Sequence, residues 1–104
     1  TGTSNTASGY RAGRYTNSGE ANEASSNSVY IGDSTSSLAS GDINEIVIGS
    51  AAEGNGSNTA RIGDANVTAL YVGGNGAGVV LNSPNGTAYK ITVSDAGSIT
   101  ATAI

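Results

Sequence analysis

Apolar residues along this chain come in short β-branched runs, each closed by glycine. Asn27-Ser-Val-Tyr-Ile-Gly-Asp33, Asn44-Glu-Ile-Val-Ile-Gly-Ser50 and Asn58-Thr-Ala-Arg-Ile-Gly-Asp64 share the form Asn-x-x-x-Ile-Gly-(Asp/Ser), the second step being slightly shorter than the first. Tyr71-Val72-Gly73 reads as a fourth, altered copy after a shorter step still. A β-branched run ended by glycine predicts a strand followed by a turn that needs positive φ or close backbone approach. The repeat therefore predicts rungs near 27–33, 44–50, 58–64 and 67–74, with Ile31, Gly32, Ile48, Gly49, Ile62, Gly63, Val72 and Gly73 as its structural positions. Val29 and Ile31, Ile46 and Ile48, and Ala60 and Ile62 fall two apart, so one face of each rung is apolar and is read as pointing inward. Tyr30 then lies on the opposite face, outward on this reading, although a one-residue slip would exchange the two faces.

The flanks read differently. Residues 1–26 carry Gly2, Gly9, Gly13 and Gly19 and no Val, Ile or Leu. The run Ala7–Gly13 reads either as a degenerate rung in which Ala7, Ala12 and Tyr10 line a narrow axis, the favoured reading, or as a loose leader. Beyond Gly78, three strand-like runs (79–81, 87–93 and 98–104) are separated by Ser83-Pro-Asn-Gly86 and Ser94-Asp-Ala-Gly97. Proline presets φ early in a turn and glycine supplies its left-handed residue, so both connectors predict tight turns. In the middle strand Tyr89, Ile91 and Val93 share one face, and Ala88, Lys90 and Thr92 the other. The chain divides on this reading into a repetitive β shaft, residues 1–76, and a C-terminal meander, residues 77–104. No stretch has helical periodicity.

Composition then raises the question of what covers the apolar residues. Ile, Val and Leu number 18 in 104 residues and Phe is absent, whereas Gly, Ser, Thr, Asn and Ala make up 68. So few aliphatics fall below what a conventional core requires. Disorder usually comes with high charge or much proline, but charged residues are 12% and Pro84 stands alone. The expected solution is a core shared between copies of the chain, because a rung of two or three aliphatics closes only by stacking and by contact with neighbours.

Charge and residue type exclude several chemistries. The only cations are Arg11, Arg14, Arg61 and Lys90, the net charge is −4 and histidine and cysteine are absent. No basic track for nucleic acid is expected. Disulfides, thiolate or histidine metal sites and a histidine-based triad are impossible, and no cofactor is expected. No apolar run approaches the length of a membrane span, so membrane insertion is not expected. The absence of methionine implies an upstream start and a longer parent protein.

Ser28-Val-Tyr-Ile-Gly32, Asn44-Glu-Ile-Val-Ile-Gly49, Gly54-Asn-Gly-Ser-Asn-Thr-Ala-Arg-Ile-Gly63 and the ending Asn82-Ser-Pro-Asn-Gly-Thr-Ala-Tyr-Lys-Ile-Thr-Val93 resemble the C-terminal part of bacteriophage tail fibres. The Ile-Gly rungs are also similar to the head repeats of trimeric autotransporter adhesins. The likeness covers about residues 27–104, and the Ser-Pro-Asn-Gly-Thr ending favours the phage fibre. The resemblance implies an all-β, elongated homotrimer of intertwined β-roll or β-helix-like chains with a small β-meander tip. Its implied role is host attachment by the virion: a non-enzymatic fibre, assembled in the bacterial cytoplasm, that contacts a surface polysaccharide or an outer-membrane receptor. The alternatives are the head of a bacterial trimeric surface adhesin and a purely structural shaft.

Within that frame the contact residues are sought among exposed aromatics, which stack on sugar rings or anchor interfaces. Tyr71 and Tyr89, near the expected tip, are the candidate receptor contacts, followed by Lys90 and Asp95. Glycoside cleavage needs two carboxylates facing one sugar. Asp33 and Asp64 occupy equivalent repeat positions and are read as turn caps, so no catalytic residue is assigned. Gly73–Val79 departs from both phosphate-loop and calcium-repeat patterns, and is read as a hinge between shaft and tip.

Overall fold

The computed structural model describes residues 2–104, which form nine strands and, among the described residues, no helix. The chain is all-β. It separates into two compact units, one ending at Thr68 and the other spanning Ala69–Ile104.

In the first unit, β1 (Thr6–Ser8), β3 (Val29–Ile31), β5 (Ile46–Ile48) and β6 (Ala60–Ile62) form one parallel sheet in that order. Ala7, Tyr30, Val47 and Arg61 are in register, so one coil runs from Ala7 to Tyr30, the next from Tyr30 to Val47 and the shortest from Val47 to Arg61. A second parallel column pairs β2 (Tyr15–Thr16) with β4 (Ser36–Ser37), and Ser36 bridges on to Glu53. A third joins Ser26 to Ile43, and Asn58 N continues it by donating to Ile43 O at 3.1 Å. Each coil thus hydrogen-bonds to the next on several sides, which is how short runs too poor in aliphatics to fold separately hold one another.

The glycine that closes each run is required by this stacking. Gly32 has φ +125°, and a Cβ there would lie 2.8 Å from the Gly49 carbonyl carbon in the coil below. Gly49, at φ +122°, meets Gly63 in the same way. The column ends where the Val67 side chain covers Gly63, and Asp64 fixes that turn by accepting from Asn66 N at 2.9 Å.

Three expectations are corrected here. First, the inward face is the other one: Tyr30 is 2% exposed and Val47 fully buried, whereas Val29, Ile31, Ile46, Ile48 and Ile62 lie on the opposite face, half-buried or exposed. A one-residue slip exchanges the faces of a strand, and the Tyr30 ring fits inside because Gly13, against which it packs, has no Cβ. Second, the early rung exists but is the strand Thr6–Ser8; Ala12 packs against the core, while Tyr10 is 66% exposed and lines no axis. Third, no strand forms near 67–74, and Val72 and Gly73 are exposed, irregular residues. The step from Ile62 to Val72 is too short to complete a coil, since even the shortest circuit observed, Val47 to Arg61, is longer. The turn at Asp64–Val67 has by then closed the stack.

The second unit is an antiparallel meander of β7 (Val79–Asn82), β8 (Ala88–Val93) and β9 (Ile99–Ala103). Its turns fall where proline and glycine place them: Gly86 N donates to Ser83 O at 2.8 Å and Gly97 N to Ser94 O at 2.9 Å. The boundary between the units lies at Thr68/Ala69, ahead of the expected division after residue 76.

Candidate functional site

Residues directly opposite in an antiparallel pair project to the same side. Tyr89 faces Leu81 and Ala103, Ile91 faces Val79 and Ala101, and Val93 faces Ile99. The result is a sheet face made only of Val79, Leu81, Tyr89, Ile91, Val93, Ile99, Ala101 and Ala103. Lys90, between Val80 and Thr102, is on the other face, among residues that include Ala88, Thr92 and Thr100. No residue of this unit is buried among those described.

The four expected receptor residues are not brought onto one surface. Tyr89 belongs to the apolar face and is 37% exposed; Lys90 is half-buried on the reverse. Asp95 sits in the β8–β9 turn, and Tyr71, 93% exposed, lies in the irregular stretch before β7.

The coil stack has a second apolar surface and a polar interior. Outside, Val29, Ile46 and Ala60 run in one register line, and Ile31, Ile48 and Ile62 in the next. Inside, the Glu45 carboxylate is fully buried. Its Oε1 accepts from Tyr30 OH at 2.9 Å, and its Oε2 accepts from Gly56 N at 2.7 Å and Leu38 N at 3.2 Å. Glu45 N donates in turn to Ser28 Oγ at 3.0 Å. Burial pushes the Tyr30 phenol above its ordinary value, and the adjacent Glu45 carboxylate adds to the shift. This closed network satisfies a buried charge with three donors, as such a group requires. With Glu45 fully buried and its oxygens held by the chain itself, the network ties neighbouring coils together.

The most concentrated surface chemistry lies at the corner Tyr10-Arg-Ala-Gly-Arg-Tyr15. The Arg11 guanidinium stands 4.9 Å from the Tyr10 ring centroid and 6.0 Å from that of Tyr15, and the Arg14 guanidinium 5.2 Å from Tyr15. These distances are those of cation–π pairs. Sequence reasoning that looks towards the C-terminus for contacts passes over this corner. The signal is nonetheless there: half of the four cations and two of the five tyrosines fall within six residues. Elsewhere on the unit, a recess of ≈ 230 Å³ is lined by Ala51, Glu53, Arg61, Asp64 and Ala65. There Asp64 is held below the ordinary carboxylate range by the Asn66 backbone N–H and side-chain amide.

Set against protein families, curated proteins and solved structures, the chain matches none.

Proposed function

We propose that this chain is a structural and receptor-contacting part of a phage tail fibre, a homotrimer that attaches the virion to a bacterial surface. The observation that carries the reading is the amount of apolar strand surface a single chain leaves open. The meander presents a face of eight apolar residues, and the coil stack presents the two lines through Ile46 and Ile48. Contiguous apolar surface of this kind marks an interaction site, and symmetric association of identical chains is its commonest cover. Three copies are what the Ile-Gly rungs and the Ser-Pro-Asn-Gly-Thr ending imply through their resemblance to phage fibres. Trimerisation of this kind couples assembly to folding, since the meander gains its core only when faces meet. Three identical contact sites per fibre then raise avidity above that of a single contact.

A second reading, the head of a bacterial surface adhesin, draws on the parallel stacking of Ile-Gly coils within one chain. Genes beside the coding sequence separate the two: baseplate genes support the fibre, and a membrane β-barrel anchor supports the adhesin.

The deciding experiment is light scattering of the purified chain, followed by adsorption of the verified species to a panel of bacterial strains. The expected mass is three times 10.1 kDa, held through one cooperative transition. A folded monomer would sink the shared-face argument. A stable trimer that adsorbs to no strain would favour a purely structural shaft.

A further inference from the structure

We infer that the Tyr10–Tyr15 corner is a binding site for a carboxylate-bearing sugar, a uronic acid-type unit of a surface polysaccharide. The inference rests on the attachment reading and names both the place and the chemistry of contact. Three observations converge on it.

The first is the composition of the corner. Arg11 and Arg14 flank the rings of Tyr10 and Tyr15 at 4.9–6.0 Å. An arginine held over an aromatic face keeps its N–H fork available for a carboxylate, which it binds bidentately. An exposed tyrosine ring offers the flat apolar surface on which a sugar packs. Tyr10 and both arginines are exposed.

The second is the backbone. Arg11 has φ 56°, in the left-handed region, and the equivalent corner positions in the next two coils, Ser34 and Ala51, have φ 54° and 56°. The fold therefore demands a left-handed residue at this corner, and Ser or Ala meets that demand. It does not demand arginine, whose long side chain gains nothing for the backbone there. The positive φ is thus explained by the coil, and the choice of arginine there is not.

The third is an insertion. Strand registers leave six residues between Ser8 and Tyr15, but four between Ile31 and Ser36 and four between Ile48 and Glu53. The first corner is two residues longer than its counterparts, and the added length carries the second arginine outward. The two later corners stack without such an addition.

In a chain of net charge −4, a local pair of guanidinium groups backed by rings selects a ligand that is both anionic and flat-faced. Carboxylated sugars meet both conditions, and neutral sugars meet one. Asp33 takes the Tyr10 position of the next coil, where Ser34 N donates to Tyr10 O at 2.7 Å, so the site has an acid beside it that limits affinity.

The test uses titration calorimetry on the intact, assembled protein with oligogalacturonate as probe and a neutral maltooligosaccharide as control. Binding of the uronate but not the neutral sugar is expected, weakening as salt is added. Arg11→Gly, which the positive φ accommodates, and Arg14→Gln should each weaken binding by about tenfold or more. Tyr10→Leu should weaken it without altering its salt dependence, and Asp33→Asn should tighten it. An unchanged thermal transition in Arg11→Gly shows that lost binding is not lost folding. No uronate binding, or equal binding by the wild type and the double arginine variant, would overturn the site. Cell adsorption separates the two levels of the proposal. Adsorption that survives in the double variant overturns the corner and leaves attachment standing, whereas a wild type that adsorbs to no strain removes attachment itself.

Discussion

The coil stack and the meander solve the same shortage of aliphatic residues in opposite ways. The stack closes an interior with polar groups: Tyr30, Glu45 and Ser28 are buried beside Val47 and Ala52, and hydrogen bonds link them across coils. The meander buries nothing among its described residues and gathers its apolar side chains on one uncovered face. A parallel coil can substitute backbone and side-chain hydrogen bonds for apolar volume, because each rung lies against another rung of the same chain. A three-stranded sheet has no second layer and must find one outside itself. Stability of the stack is thus expected to depend on single internal groups, and stability of the meander on association.

Substitutions that strike one unit and spare the other test this contrast. The largest effect is expected from Ile91→Asp, which places a charge at the centre of the meander's apolar face. If this face is the proposed interface, association buries that charge unpaired, at several kcal/mol per copy. Light scattering should then report monomer, and an undiminished trimer would show that this face is not an interface. Next comes Glu45→Leu, which orphans Tyr30 OH, Gly56 N and Leu38 N inside the stack at about 1–3 kcal/mol each. Thermal unfolding should shift strongly, and a shift no larger than that of a surface substitution would refute the internal network.

A matched pair of glycines sharpens the contrast. Gly32→Ala should cost about 2–4 kcal/mol, because it adds a Cβ against the Gly49 backbone at a disfavoured φ. Gly97→Ala has open space around it and should cost about 1 kcal/mol, from its φ alone. Equal midpoints for the two variants in denaturant would mean that the coils are not in close backbone contact.

The smallest effects are those of pH. Tyr30 has its folded value raised by burial, so its contribution is complete below the ordinary phenol value of 10.0 and is lost as pH rises through the folded value. Alkaline titration followed by tyrosinate absorbance should show one phenol ionising late, and Tyr30→Phe should remove that phase. Asp64 works in the opposite sense: its lowered value means a contribution present above the ordinary carboxylate range and lost as pH falls through the folded value. Asp64→Ala should therefore match wild-type stability in strong acid and fall slightly below it at neutral pH.

Much of the architecture is legible because local rules write it. Pro84, Gly86 and Gly97 determine their turns without tertiary help, and the meander strands lie where these residues predict. The recurrence of Asn27, Asn44 and Asn58 at the head of each run predicts the parallel register, since stacked equivalents must repeat. What is illegible depends on contacts between coils. Ile46-Val47-Ile48 is apolar on both faces, so the pattern there does not say which side is interior, and alternation alone puts Tyr30 on the wrong one. The strand Thr6–Ser8 has no β-branched aliphatic and is recognised only by its partner Val29–Ile31. The burial of Glu45 is not legible, since nothing local announces that Gly56 N and Tyr30 OH will close around it. The arginine–tyrosine corner needs no structure to be noticed, but its two extra residues are countable only once the registers are known.

The coils from Ala7 to Tyr30, from Tyr30 to Val47 and from Val47 to Arg61 share one register although each is shorter than the one before. This makes the returns and corners a set of independently editable segments. A residue gained or lost there leaves the glycine column and the strand ladder untouched, so mutation can lengthen, shorten or redecorate one corner at a time. Such a scaffold separates inheritance of shape from inheritance of surface. The surface of its first coil is free to drift while the register of the stack stays the same.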